Sequence, residues 1–299
     1  MKAPGNHVLG LDLGGSSVKA AVLSPDGTLL SETHRSFEAE RPMHFAETVR
    51  DLAHDLARAF GGGQPALGMS APGLPSQDGR SIAYLPNRLP GIEGLDWTDY
   101  LGWNVPVPLL NDAQAALLGE TWLGAARGKT NVVMLTLGTG VGGAAMVDGR
   151  LLRGHVGKAG HLGHISLDPE GPPDICGTPG SLEHAIGNAT IRERSAGRFA
   201  TTHALIVSHL AGDPEATRVW LSSVRALAAA IASLTNVLDP EVVVVGGGIA
   251  AAGAALFEPL RAHMNTMEWR VCGHAVSIVP ALLGDKAGAV GAARHALNR

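Results

Sequence analysis

Two short stretches of this chain place glycines, hydroxyls and a carboxylate where a phosphate could be held. The first is Asp12-Leu-Gly14-Gly15-Ser16-Ser17 with Lys19 just beyond; the second is Gly138-Thr139-Gly140-Val-Gly-Gly143. Glycine lets backbone N–H groups approach phosphate oxygens unobstructed, and successive N–H groups in a turn form anion-binding nests. Ser16, Ser17 and Thr139 can add hydroxyl donors, and Asp12 could hold Mg²⁺, usually through water. A further pair, Asn111-Asp112, ends an apolar run. A carboxylate there can accept the proton of an attacking hydroxyl, as phosphoryl transfer requires. Taken alone, Asp112 reads as a helix N-cap, and each hairpin as a structural turn with Asp12 satisfied by backbone donors.

The elements that must position these groups follow from apolar spacing and turn residues. Val8–Leu13 and Val18–Leu23 read as strands around Gly14-Gly15, and Ser24-Pro-Asp-Gly27 turns the chain into a third strand over Thr28–Thr33. A helix opens at Pro42 and carries Phe45, Val49, Leu52, Leu56 and Phe60 at helical spacing. Ala66–Met69 and Val105–Leu110 read as strands, and Ala113–Leu123 as a helix. The opening then recurs: Leu11 to Leu23 followed by Asp26-Gly-Thr-Leu-Leu30 aligns with Leu135 to Val147 followed by Asp148-Gly-Arg-Leu-Leu152. Strand, Gly-rich turn, strand, DG turn and strand thus occur once in each half, and the duplication favours phosphate binding over chance likeness of two hairpins. Pro214–Leu238 is the longest helical pattern. Val242–Val245 is a strand too apolar to be one-sided, so it is expected at the centre of a covered sheet. Helices from about Gly253 to Met267 and Lys286 to Leu297 flank a last strand, Val276–Val279.

Two decoys are set aside on context. Gly138-x-Gly140-x-x-Gly143 matches a dinucleotide fingerprint in form, but a strand follows it where that motif needs a helix. Gly124 to Gly128-Lys129-Thr130 is one residue short of a P-loop and precedes a strand.

The chain has 299 residues, 45% of them hydrophobic, enough for two cored domains. Net charge is −4 and the 23 Lys and Arg are scattered, so nucleic acid is not an expected ligand. Two cysteines, Cys176 and Cys272, make no disulfide framework and suit a reducing cytosol. Met1–Asn6 is short and polar with no signal-peptide character, and no membrane span is expected. The domain border is expected between Asp112 and Gly128: an N-terminal domain over 1–115, joined by the final helix 286–299, and a C-terminal domain over 116–285.

Taken together, these residues resemble the ROK family of bacterial sugar kinases and repressors. The matching pieces are Leu11-Asp-Leu-Gly-Gly-Ser16, Ala71-Pro-Gly73, Pro86-Asn87, Asn111-Asp112-Ala113, Leu137-Gly-Thr-Gly-Val-Gly-Gly143, Gly157-x-x-Gly160-x-x-Gly-His164, Cys176-Gly-x-x-Gly-x-Leu-Glu183 and Val244-Val-Gly-Gly-Gly248. The resemblance implies a two-domain actin-like (ribonuclease H-like) α/β fold with ATP and sugar in an interdomain cleft, and assembly as a homodimer or homotetramer. It implies Asp112 as general base, Gly73, Asn87, Asn111, His164 and Glu183 as sugar ligands, and Gly247 and Gly248 against adenosine. His161 stands where many members carry a sugar-binding Glu. Many members also hold structural Zn²⁺ with the motif histidine and three cysteines; here Asp174, Cys176 and Ser181 occupy the cysteine positions, and zinc is not expected. The expectation is an ATP- and Mg²⁺-dependent kinase for a sugar or sugar-like polyol, with a weakly catalytic sugar sensor as the alternative and polyphosphate as the alternative donor. A repressor would need a helix-turn-helix before the first hairpin, for which Met1–His7 leaves no room.

Overall fold

A computed structural model describes residues 7–298. Met1–Asn6, read above as lacking signal-peptide character, and Arg299, at the end of the expected final helical segment, lie outside the described residues. The chain forms two compact units. The first takes the chain up to Gly128, returns for Arg153–Ala159, and ends with everything from Leu282 onward; the second takes Lys129–Leu152 and Gly160–Ala281.

In the first unit, β1 (Val8–Leu13), β2 (Ser17–Leu23) and β3 (Leu29–Ser36) form an antiparallel meander, followed by α1 (His44–Ala59) and β4 (Ala66–Ala71). A small hairpin, β5 (Leu74–Pro75) and β6 (Ile82–Tyr84), and the single turn α2 (Trp97–Leu101) lead to β7 (Leu109–Asn111) and α3 (Asp112–Trp122). The sheet order is β3-β2-β1-β4-β7, with β4 parallel to both β1 and β7. Phe45, Val49, Leu52 and Leu56 of α1 are buried, as their spacing requires, against Leu9, Leu11 and Val22 of the sheet. The expected strand Val105–Leu110 is confined to its last residues. Pro106 and Pro108 have no N–H to give a ladder, and Val105 is 43% exposed, although Pro108 O still accepts from Met69 N at 2.8 Å.

The second unit repeats the plan. β8 (Val132–Leu137), β9 (Val141–Val147) and β10 (Arg150–Leu151) form the meander; α4 (Leu182–Ile186), α5 (Ile191–Arg194), α6 (Thr202–Leu210) and α7 (Pro214–Leu238) follow, then β11 (Val242–Gly246), α8 (Ala254–Met267) and β12 (Ser277–Pro280). The order β10-β9-β8-β11-β12 matches that of the first sheet, and the all-buried β11 lies between β8 and β12, both parallel to it. The duplication visible in the sequence is therefore a duplication of the sheet core. α7 has the length and hydropathy of a membrane span. It instead buries Val219, Trp220, Val224, Leu227 and Ile231 in this unit's core and leaves Arg218 and Arg225 exposed.

After β12 the chain returns to the first unit as α9 (Ala287–Leu297), which packs on β1, β4 and α3. α3 lies whole within this unit, where the sequence border at 115/116 would divide it. The entry into α9 is held by Glu120 of α3. This fully buried carboxylate accepts from Leu283 N (2.8 Å), Leu282 N (3.0 Å) and Ala125 N (2.7 Å).

α9 makes backbone-on-backbone contact. A Cβ on Gly10 would lie 1.8 Å from Ala289 O, one on Gly68 2.0 Å from Ala292 O, and one on Gly291 1.6 Å from Ala115 O. No rotamer relieves such a clash, so helix and sheet would have to part. Gly291→Ala is expected to destabilise by roughly 2–3 kcal/mol, although alanine gains up to about 1 kcal/mol in helix propensity over glycine. Gly63→Ala, where nothing stands within 4 Å, serves as the near-neutral control. Urea denaturation of both variants checks this; equal midpoints would show that α9 can shift freely.

Candidate functional site

In the first unit the chemistry gathers at the end of β1. Asp12 pairs in register with Lys19 across β2 and with Ser70 across β4. Ser70 Oγ donates to Asp12 Oδ1 at 2.7 Å. Burial pushes the Asp12 carboxyl up to about 6. The Ser70 hydrogen bond and Lys19 oppose the rise, while the carboxylates of Asp112 and Asp285 add to it. The far side of Asp12 is closed by Gly288 of α9, whose Cβ would lie 2.5 Å from Asp12 Cγ. Beyond Asp12 the Gly14–Gly15 turn is drawn tight by Gly14 N donating to Ser17 O (2.8 Å), and Gly15 and Ser16 are exposed. Arg88 Nη2 comes within 3.6 Å of the place a Gly15 Cβ would take. Arg88 stands between Asn87 and Leu89, both in left-handed conformation with φ of 60° and 45°.

Asn111 and Asp112 divide the work at the start of α3. Asn111 is the N-cap: its Oδ1 accepts from Ala113 N (3.0 Å), while Gln114 Oε1 accepts from Asn111 N, completing a capping box. Asn111 Nδ2 donates to Gly73 O at 3.0 Å, tying the Ala71-Pro-Gly73 turn to the helix. Gly73 has φ 99°, and a Cβ there would lie 2.8 Å from Tyr84 O, so a side chain at this position would be doubly strained. The N-cap reading of Asp112 is corrected: Asn111 takes that position. Asp112 is the first helical residue, exposed, with Oδ1 accepting from Ala113 N at 2.7 Å.

In the second unit the Gly138–Gly140 turn is closed by Gly138 N donating to Gly140 O (2.9 Å) and buttressed by Asn188 N and Ala189 N, which donate to Gly138 O and Thr139 O. Glu183, buried on α4, reaches this turn: Oε2 accepts from Val141 N at 2.9 Å and fills the space a Gly140 side chain would need. The turn from His161 to His164 lies flat on β9 because Gly143, Gly160 and Gly163 leave no side chain between them; a Gly163 Cβ would sit 1.9 Å from Val141 O. His161 stands at the N-cap position of that turn, its side chain making no capping hydrogen bond. Gly247, at φ 85°, crosses over Leu137 O at a distance only a hydrogen allows, while Gly248 opens onto free space.

His164, Asp174 and Cys176 bring ligand atoms within 4.8 Å of one another. His164 Nδ1 donates to Asp174 Oδ2 (2.7 Å), and Cys176 Sγ stands 3.6 Å from His164 Nε2. Ser181 is fully buried; its hydroxyl accepts from His184 N (3.1 Å) and hydrogen-bonds Asp174.

Sequence reading overlooked Ser70, Gly288, Asp285 and Arg88. Ser70 and Gly288 carry no local signal: they meet Asp12 only once β4 and α9 are laid beside β1. Arg88 directly follows the Pro86-Asn87 pair and was within reach of that motif.

The profile of the ROK family matches residues 8–299. The glucokinase of Thermotoga maritima is 33% identical over 310 aligned positions, spanning 97% of each chain. The crystal structure of the ROK hexokinase from Thermus thermophilus shares a TM-score of 0.82 at 35% identity, covering 96% of each chain. That of the ROK family glucokinase from Streptomyces griseus, in complex with glucose and AMPPNP, shares 0.76 at 27% identity, covering 98% of this chain and all of that one. This chain belongs to the ROK family.

Proposed function

We propose that this chain transfers the γ-phosphoryl group of ATP to the 6-hydroxyl of a hexose, with Asp112 taking the proton of that hydroxyl. The coarser statement, that the chain is an ATP-dependent sugar kinase, follows from the family and from relatives that are glucokinases and a ROK hexokinase, one of them bound to glucose and an ATP analogue. The finer reading rests on one observation: Asn111 does the capping of α3, so Asp112 presents an exposed carboxylate at a helix start next to Asn111 and the Gly73 turn. The helix dipole favours negative charge there, and a carboxylate within reach of a hydroxyl can take its proton as the oxygen attacks.

The remaining assignments follow the same family logic. Backbone N–H groups and hydroxyls of Gly14–Ser17 and Gly138–Gly140 hold phosphate oxygens, Lys19 supplies a cation beside Asp12, and Gly247 and Gly248 lie against the nucleoside. Gly73, Asn87, Asn111, His164 and Glu183 orient the sugar, which excludes water from the reacting hydroxyl. Mg²⁺ fits Asp12: an oxygen donor, pushed up by burial and by two neighbouring carboxylates, is the environment a divalent cation relieves. Bound there, Mg²⁺ would supply charge neutralisation on the phosphate oxygens. Structural zinc does not fit its family position. A closed zinc site wants four N or S ligands, whereas Ser181 offers a neutral hydroxyl and Asp174 already accepts hydrogen bonds from His164, Cys176 N and Thr178 N.

A coupled ADP-release assay over hexoses, amino sugars and cyclitols tests the activity. Asp112→Asn is expected to retain sugar and ATP binding and to lose roughly 10²–10⁴ in kcat; a near wild-type kcat would remove Asp112 from the reaction.

Asp12 carries a stability cost with a definite sign. Its folded-state pKa is raised, so its favourable term is present below the unfolded value of 3.8 and is lost as pH rises through about 6. Without divalent cation, Asp12→Asn should exceed wild type in stability at pH 8 by up to roughly 3 kcal/mol, with the gap closing near pH 4, while activity falls. A less stable variant at pH 8 would contradict the electrostatic account.

His161 replaces a carboxylate that can accept from two hydroxyls by a ring with one acceptor and one donor. His161→Glu is expected to raise kcat/KM for glucose by ~10–100-fold, the worth of one hydrogen bond to a charged group. Efficient glucose phosphorylation by wild type and no change in the variant would show that the position does not set sugar choice.

A further inference from the structure

Where zinc does not fit, the side chains form a different array. The loop from Pro173 to Pro179 closes on itself, with those two prolines bridged and Asp174 N donating to Thr178 O at 2.9 Å. The Asp174 side chain is 2% exposed. Its Oδ1 accepts from Cys176 N (2.8 Å) and Thr178 N (3.0 Å), and its Oδ2 from His164 Nδ1 (2.7 Å). Burial pushes this carboxyl up, but hydrogen bonds from His164, Ser181 and the backbone outweigh it and hold the group below the usual carboxylate range. A carboxylate only accepts, so Nδ1 carries the hydrogen and Nε2 presents its lone pair. Cys176 Sγ faces that lone pair at 3.6 Å, and Cys176 is exposed to solvent. Thiol, imidazole and buried carboxylate stand in sequence, the order in which a base activates a sulfur nucleophile and a third group orients the base.

We propose that Cys176 is a modification site: a thiol activated by His164 and Asp174 that exchanges with low-molecular-weight disulfides, the adduct then lowering sugar affinity. In the step, the Cys176 S–H proton passes to His164 Nε2 as the thiolate attacks one sulfur of the disulfide. The S–S bond of the small molecule breaks, a new one forms to Cys176, and the departing thiolate takes the proton from the imidazolium. One protein thiol and one disulfide give one mixed disulfide and one small thiol. The loss of sugar affinity rests on the reading of His164 as a sugar ligand, because the adduct is built on the atom facing its ring. The exchange itself does not depend on that reading.

Cys272 supplies the internal comparison. It is also exposed, and among the described residues no hydrogen bond joins its sulfur to an imidazole. The full chain, reduced and then freed of reductant, is treated with glutathione disulfide at pH 7, and adducts are located by mass spectrometry. Cys176 should be modified about 10-fold faster than Cys272, as a thiol whose proton is shared with a neighbouring base would be. Asp174→Asn should bring the two rates together, with thermal melting showing that the variant is folded. Kinase activity should fall in step with the Cys176 adduct and return with dithiothreitol, and Cys176→Ser should keep its activity throughout. Equal rates at the two cysteines would overturn the relay. So would one zinc per chain by elemental analysis, with Cys176 protected until a chelator is added. Rapid modification of Cys176 with undiminished activity would overturn the inhibitory step, and a chain inactive on every sugar would still report the two rates.

Discussion

The first unit depends on one close approach. α9 can lie against β1, β4 and α3 only because Gly10, Gly68, Gly119, Gly288 and Gly291 have no side chains. Three of the five added methyls would fall within 2.0 Å of a carbonyl oxygen, a distance that rotamer change cannot absorb. The rest of α9 is alanine-rich, with Ala287, Ala289, Ala292 and Ala293 all buried, so the helix is held at a spacing set by backbone. Interiors packed at this density transmit displacement instead of absorbing it. Asp12 at the end of β1 and Asp112 at the start of α3 are both referenced to this one helix, which is why two residues a hundred positions apart can have a fixed electrostatic relation. The last segment made thereby fixes the first, a long-range closure that local propensity alone does not supply.

The two Gly-rich hairpins share a backbone plan and differ in what surrounds them. At Gly15 the nearest side-chain atom to a virtual Cβ is the tip of Arg88, and the turn is exposed. At Gly140 the same space is filled by the Glu183 carboxylate, hydrogen-bonded to Val141 N. The first turn is open to solvent, and the second is braced by a buried carboxylate from α4. At Gly140 the absence of a side chain is what admits the Glu183 carboxylate, whereas at Gly15 only the tip of Arg88 comes near. Asp12 carries a cost: burial, with the carboxylates of Asp112 and Asp285 adding to it, disfavours its charged form, so the ionised group opposes folding.

Much of this was legible because it is local. The β1 and β2 pattern recurs in β8 and β9 with the same turn chemistry, and the bounds of β1 and β2 were read to within one residue. Val242–Val245 was placed in a covered sheet from its unbroken β-branched run, and it lies between two parallel neighbours. The failures were also physical. Val105–Leu110 has strand composition, but Pro106 and Pro108 cannot donate, so pairing begins only at Leu109. Asn111 and Asp112 both suit an N-cap, and only the capping box with Gln114 decides between them. Ser70 and Gly288 matter through register and helix placement, which no window of sequence contains.

The loop between His164 and Glu183 takes its path from contacts that need no metal. Zinc typically contributes 10 kcal/mol or more where folding depends on it, and a few hydrogen bonds at about 1–3 kcal/mol each do not replace that sum. They do not need to. A Cβ on Gly180 would meet Asp168 O at 2.2 Å, and one on Gly171 would meet Gly180 Cα at 2.6 Å, so the two sides of the loop already touch backbone to backbone. Leu167 N donates to Gly180 O, Ser166 Oγ to Pro179 O, and Ser166 bridges Ser181. With the path of the loop settled by these contacts, the Asp174 network has only to set the direction of two side chains, His164 and Cys176. Hydrogen bonds are strong enough for that task, and they leave Cys176 exposed.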